Sequence, residues 1–161
     1  MKKKDTPPPS EPRPGDDLYS LPLQQFTPAR NALAASLRKA GETAEAERVR
    51  NLPRPSLSAW TVNHLYWFER PLFDALLDAG DQFRVAQQGQ LAGKSTDMVA
   101  ALDARRTAIT ALTRRAAQVL HDAGHSPTPD MMRRVTTSLD AIAAHGRSPD
   151  APAHGRLMAD V

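Results

Sequence analysis

The amino-acid sequence predicts an all-α fold: an irregular antiparallel bundle of about six helices that follows a disordered, Pro-rich N-terminal tail. Apolar side chains recur every three or four residues in several segments, and capping residues and glycines separate these segments. No segment combines two-residue alternation with β-branched enrichment. The chain of 161 residues suffices for one domain. We therefore expect a helical domain at residues 18–146, a tail at 1–17 and a loose C-terminal tail at 147–161.

The first seventeen residues, MKKKDTPPPSEPRPGDD, contain a single apolar side chain, Met1. Such a segment cannot bury enough surface to offset its ordering entropy, so we interpret it as a solubilising leader; a Pro-rich docking segment is the alternative. Asp5 and three prolines follow the initial lysines where a signal peptide needs an apolar stretch. We expect a cytoplasmic protein.

The first two helices are predicted on either side of Gly41. Thr27 and Pro28 supply a cap and a first-turn proline, and Gly41 ends the first helix. One face of this helix carries Phe26, Arg30, Leu33, Leu37 and Ala40. The second helix is expected from about Thr43 to Leu52, because two prolines follow at positions 53 and 55.

Four further helices are predicted from the same signals. Ser56 or Ser58 caps the third, which runs to about Arg70, and Pro71 opens the fourth. Gly80 lies within the apolar pattern of the fourth helix, so either this helix bends there or another helix passes close; we favour one continuous helix. The fifth helix follows Ser95 or Thr96 and runs to about Ala123, and the sixth lies between Thr128 and Gly146.

Composition excludes several classes of site. There is no cysteine, which removes disulfides, thiol nucleophiles, iron–sulfur clusters and cysteine-based zinc sites. The formal net charge of +3 is too small for a strongly cationic surface, and no apolar run is long enough to cross a membrane. His121 and His125 have a ligand-like spacing, but Gly124 ends the helix between them. We predict no metal and no cofactor.

The third predicted helix is the densest candidate site. Five of the eight aromatic residues lie in the segment SLSAWTVNHLYWFERPLF, and apolar groups point all round this helix. The candidate binding residues are Trp60, Asn63, His64 and Trp67, together with Arg105 from the fifth helix. One interpretation is that Asn63 and His64 tie the helix to a neighbouring backbone; the other is a binding pocket. We expect Trp60 in the core and Trp67 partly exposed.

Arginines on the last two helices suggest a nucleic-acid alternative. Arg105 interrupts the apolar seam of the fifth helix, which runs through Met98, Leu102, Ile109, Leu112, Ala116, Val119 and Ala123. It therefore snorkels, pairs with a buried carboxylate, or holds an anion in a cleft. The alternative nucleic-acid residues are three doublets: Arg105 and Arg106, Arg114 and Arg115, Arg133 and Arg134. Arg105 and Arg114 lie on opposite sides of their helix, so we expect weak binding at most.

The run LYSLPLQQFTPARNALAASLRKAGETAEAERVRNL and the following PRPSLSAWTVNHL resemble the opening of a family of uncharacterised bacterial helical proteins. The shared pattern is Leu-Pro-Leu-x-x-Phe-Thr-x-x-Arg-Asn, an Ala- and Arg-rich helix pair, and Ser-x-x-Ala-Trp-x-Val-Asn. Longer members continue into a coiled coil. The resemblance covers about residues 18–65 and implies a helical fold, with no activity attached.

These observations favour a non-catalytic helical interaction or scaffold module that binds another protein. The alternatives are a weak nucleic-acid-associated protein, and a small-ligand binder or enzyme built around Trp60, Asn63, His64 and Arg105. No residue pattern nominates a nucleophile or a general base, and none indicates an oligomeric state.

Overall fold

A computed structural model of the chain describes residues 12–161. Most of the predicted N-terminal tail, residues 1–11, lies outside this range. The described part contains six α-helices and no strand, which confirms the predicted all-α class. The helices are α1 (Phe26–Lys39), α2 (Thr43–Arg50), α3 (Leu57–Phe68), α4 (Arg70–Leu91), α5 (Met98–Asp122) and α6 (Pro129–His145). Two short 3₁₀-helices, Asp16–Ser20 and Leu23–Gln25, precede α1.

The chain divides into two compact units, Met1–Pro53 and Arg54–Val161, where the sequence suggested a single helical domain. The boundary falls in the Pro-rich connection between α2 and α3. Proline lacks the backbone N–H that helix hydrogen bonds need, so this connection forms no helix. α1 and α2 pack on each other in the first unit, and α3 to α6 pack on one another in the second.

The first unit has its own small core. Leu18, Tyr19, Phe26 and Val49 are buried together, and the rings of Tyr19 and Phe26 lie 5.3 Å apart. The segment just before this core, residues 12–17, was predicted to be disordered, but it is anchored by a 3.1 Å ion pair from Arg13 to Glu45. The apolar side chains that begin at Leu18 hold the chain close enough for this pair to form.

In the second unit every pair of helices is in contact. α4 is continuous through Gly80, as expected, and a Cβ at this position would overlap the carbonyl oxygen of Ala143 on α6. Both parts of the prediction therefore hold: the helix does not break, and a second helix passes close. Glycine is needed here because any side chain would push α4 and α6 apart.

The start of α5 differs from the prediction in two respects. Asp97 caps the helix by accepting a bond from the Ala100 amide, whereas Ser95 and Thr96 precede the helix without capping it. Leu102, predicted to face the core, is 44% exposed, and Ala101 is buried instead. The buried face of this turn is thus one residue out of the predicted register, because α5 meets its neighbours here through the small side chains of alanine.

The C-terminal segment is not loose, contrary to expectation. Arg147 forms ion pairs with Asp78 (2.7 Å) and Asp81 (3.0 Å) of α4, which hold the chain where it leaves α6. Further on, Leu157 is buried against α3. The segment forms only local turns, such as the hydrogen bond from the Ala151 amide to the Ser148 carbonyl oxygen, and contacts with residues distant in the chain hold it in place.

Candidate functional site

α3 is the helix on which the sequence placed the candidate site. Ser56 caps its start, accepting a 3.2 Å hydrogen bond from the Ala59 amide. The helix ends at Phe68, since Glu69 leaves the helical conformation and α4 begins at Arg70 with Pro71 in its first turn. Between these ends seven residues, which point to all sides of the helix, are buried: Ser58, Ala59, Trp60, Thr61, Val62, Asn63 and Leu65. The apolar pattern all round the helix therefore reflects burial over most of its length.

Asn63 pairs with the backbone of the C-terminal segment. Its Nδ2 donates to the carbonyl oxygen of Leu157, and its Oδ1 accepts from the amide of Leu157, both at 2.8 Å. The side chain is fully buried. One asparagine thus satisfies both polar groups of one buried peptide residue, which corresponds to the backbone-tie interpretation. Its donor and its acceptor are both engaged by Leu157.

Three side chains one turn apart form a stack along α3: Trp60, His64 and Phe68. The His64 ring lies 5.3 Å from the Trp60 ring and 4.4 Å from the Phe68 ring. Burial lowers the pKa of His64, and the charge of Arg115 lowers it further, while Glu69 acts in the opposite direction. The lowered pKa of His64 favours the neutral imidazole at pH 7, and its Nδ1 is buried without a hydrogen-bond partner among the described residues.

The exposure of the aromatic side chains changes sharply along α3. Trp60 is 5% exposed, Trp67 is 37% exposed and Phe68 is 57% exposed. The Nε1 of Trp67 donates a 2.9 Å hydrogen bond to the carbonyl oxygen of Gly155, so this indole is fixed although it is partly open to solvent. We call Trp67 and Phe68 the α3 aromatic end. Sequence reasoning placed Trp67 correctly at an exposed position but did not select Phe68, for which the helix break at Pro71 was the available signal.

Arg105 does not join the α3 residues. Its side chain is largely buried and makes a 3.5 Å ion pair with Asp140 of α6, with a further hydrogen bond to the Asp140 carbonyl oxygen. Its guanidinium also lies 5.9 Å from the centre of the Phe83 ring. The candidate set of Trp60, Asn63, His64 and Arg105 is therefore not brought together: Asn63 faces the C-terminal segment, and Arg105 connects α5 to α6.

Most of the arginines proposed for nucleic acid have acidic partners. Arg115 pairs with Glu69, and Arg106 lies 3.9 Å from Asp103. Arg133 and Arg134 both bind Asp130. Of the six doublet arginines only Arg114 has no hydrogen bond or ion pair within the described chain. The carboxylates neutralise these cations locally, so the doublets do not form a continuous basic stripe.

Residues 12–161 contain neither a clustered set of metal ligands nor a membrane-spanning helix. No group of three or more His, Asp or Glu side chains is arranged to hold a metal ion. No helix in this range combines the length and the apolar character that a membrane span requires. Comparison with known proteins found no matching family model, no similar curated protein and no similar solved structure. The resemblance to the bacterial helical family accordingly stays a prediction from the quoted motifs.

Proposed function

We propose that this protein is a cytoplasmic, non-catalytic interaction module that binds a partner protein through the α3 aromatic end. The observation that carries the proposal is the combination of exposure and fixed geometry at Trp67 and Phe68. Phe68 stacks on His64 while most of its surface faces solvent, and Trp67 is hydrogen-bonded to Gly155. Two large aromatic side chains that are ordered before binding lose little conformational freedom in a complex.

The surroundings of the α3 aromatic end define the chemistry of the partner. Glu69, the next residue, pairs with Arg115, whose side chain remains 42% exposed. An apolar centre beside a charged pair has the composition of an interface core with a polar rim. We therefore expect the partner to offer an apolar cleft for an aromatic ring, bordered by polar groups.

The test replaces Phe68 by a photoreactive benzoylphenylalanine in the native host. We expect cross-linking to one discrete protein, and competition of that cross-link by excess wild-type protein. Competition should be lost with Phe68→Ala but retained with Val85→Ala, which removes another exposed apolar side chain, on α4. Phe68→Ala should change stability by about 1 kcal/mol or less, because the side chain is mostly exposed. Equal competition by both variants would contradict the proposal.

The nucleic-acid alternative receives less support, because five of its six arginines have acidic partners. We expect only weak, sequence-independent DNA binding that is lost at physiological salt. The measurement is a fluorescence-anisotropy titration with labelled DNA at increasing salt concentration. Tight binding to a defined sequence at physiological salt would favour this alternative over the interaction module.

A further inference from the structure

A groove in the first unit is lined mainly by arginine and asparagine side chains of α1 and the end of α2. It encloses about 470 Å³ and is open to solvent. Its polar lining consists of Arg30, Asn31, Arg38, Arg50 and Asn51. The remaining lining side chains are two alanines, and no carboxylate takes part. The groove therefore combines positive charge with open space, because small side chains occupy its wall.

Two of these arginines lack partners of their own. Neither Arg38 nor Arg50 has a hydrogen bond or ion pair with any described residue, whereas Arg13 and Arg48 in the same unit share Glu45. Across residues 12–161 the only other arginine in this condition is Arg114, on α5. A guanidinium stays protonated at every physiological pH, so the groove keeps at least two charges that no residue of the described range 12–161 offsets directly.

The neighbouring side chains add hydrogen-bond donors. Arg30 is fixed by a 2.8 Å bond from Nη1 to the carbonyl oxygen of Leu52. Its Nε and Nη2 donate to the Oδ1 of Asn31 at 3.2 and 3.1 Å. Since the oxygen of Asn31 is engaged by Arg30, its amide nitrogen remains a donor. The groove thus presents guanidinium and amide N–H groups, which suit a ligand rich in acceptor oxygens and negative charge.

We propose that this groove binds a phosphate-bearing small molecule, with Arg38 and Arg50 as the side chains that bind its phosphoryl oxygens. The planar guanidinium matches the geometry of phosphate and can donate two parallel hydrogen bonds to it. The volume lies within the range of small-molecule sites. Polar groups line more of the groove than apolar groups do, so the phosphoryl group supplies most of the affinity. This site is separate from the α3 aromatic end and does not depend on the interaction proposed there.

The experiment uses the full chain and inorganic pyrophosphate as the probe, titrated at constant ionic strength by calorimetry. We expect saturable binding at one site, with shifts of the arginine Nε–H signals of Arg38 and Arg50 in NMR spectra. Arg38→Gln and Arg50→Gln should each weaken binding about tenfold or more, because each removes charge-assisted hydrogen bonds. Circular dichroism checks that both variants retain the helical content of the wild type.

Arg114→Gln is the matched control, since it removes the same charge from another arginine that has no partner among residues 12–161. Its affinity for pyrophosphate should equal that of the wild type. The proposal fails if pyrophosphate shows no saturable binding, or if Arg114→Gln weakens binding as much as the groove variants do. It also fails if single-stranded RNA binds through Arg38 and Arg50 while pyrophosphate does not, because the groove would then serve a nucleic-acid backbone.

Discussion

The pairing of Asn63 with Leu157 yields the sharpest prediction about this protein. The asparagine is fully buried and is separated from Leu157 by 94 residues in sequence, so it joins α3 to a segment that has no regular structure of its own. Asn63→Ala removes both hydrogen bonds and leaves the amide and the carbonyl of Leu157 without partners. The effect therefore reports directly on the attachment of the C-terminal segment.

The expected loss follows from the two groups left unsatisfied. Each buried polar group without a partner costs about 1–3 kcal/mol, which sums to about 2–6 kcal/mol. The C-terminal segment can instead detach and let water satisfy both groups, at the cost of exposing Leu157, whose burial contributes about 1.5–3 kcal/mol. Detachment limits the loss, so we expect Asn63→Ala to reduce the free energy of unfolding by about 2–4 kcal/mol.

Denaturant unfolding followed by tryptophan fluorescence is the appropriate assay, because both tryptophans lie in α3 and report on the second unit. Hydrogen exchange of the Leu157 amide, measured by NMR, should accelerate in parallel. Asn51→Ala, which removes an exposed amide side chain in the first unit, serves as the control and should have little effect. Asn63→Asp retains the acceptor but turns a carboxylate toward the Leu157 carbonyl, so it should destabilise the protein at neutral pH and recover in part when the acid is protonated.

The reasoning is refuted if the free energy of unfolding of Asn63→Ala lies within about 0.5 kcal/mol of the wild-type value, which is the range of ordinary surface substitutions, and if hydrogen exchange of the Leu157 amide is unchanged. Loss of stability without faster exchange at Leu157 would also count against it. That result would place the contribution of Asn63 within α3 and not in its bond to the C-terminal segment.

Three further outcomes are expected. Trp60→Ala should reduce the free energy of unfolding by about 3–5 kcal/mol because the side chain is buried, and Trp67→Ala should reduce it less. Urea unfolding followed by circular dichroism compares the two variants. Equal losses would contradict the assigned burial. Gly80→Ala should lower the melting temperature because the new Cβ would overlap a carbonyl oxygen of α6. The overlap should outweigh the higher helix propensity of alanine, which normally stabilises a helix by about 1 kcal/mol relative to glycine. A higher melting temperature would show that α4 and α6 can separate. Burial lowers the pKa of both His64 and His154 below 6.5, and nearby arginine charges lower both further. The unfolded chain therefore binds more protons than the folded chain as the pH falls. The two histidines should not lower the free energy of unfolding above about pH 7, but they should lower it as the pH falls through about 6.5. Glutamine at both positions should weaken this pH dependence.

The local features of the fold were predictable because they depend on residues close together in sequence. Capping at Ser56 and Thr128 and the glycine that ends α6 involve hydrogen bonds within one helical turn. The start of α5 was harder to predict, since Ser95, Thr96 and Asp97 are all capable of capping and only the final geometry selects Asp97. The partial exposure of Trp67 followed from its place near the end of α3.

The six helices, the absence of cysteine chemistry and the concentration of aromatic residues on α3 were all predictable, because they depend on composition and on short-range periodicity. Which polar side chains meet depends on the tertiary structure. It paired Asn63 with Leu157 and Arg105 with Asp140, and it placed Arg38 and Arg50 in one groove with no acidic partner among residues 12–161. Asn63 and Leu157 are 94 positions apart in the sequence, and Arg105 and Asp140 are 35 positions apart. No local pattern encodes which of several carboxylates or peptide groups will lie within reach after the helices have packed.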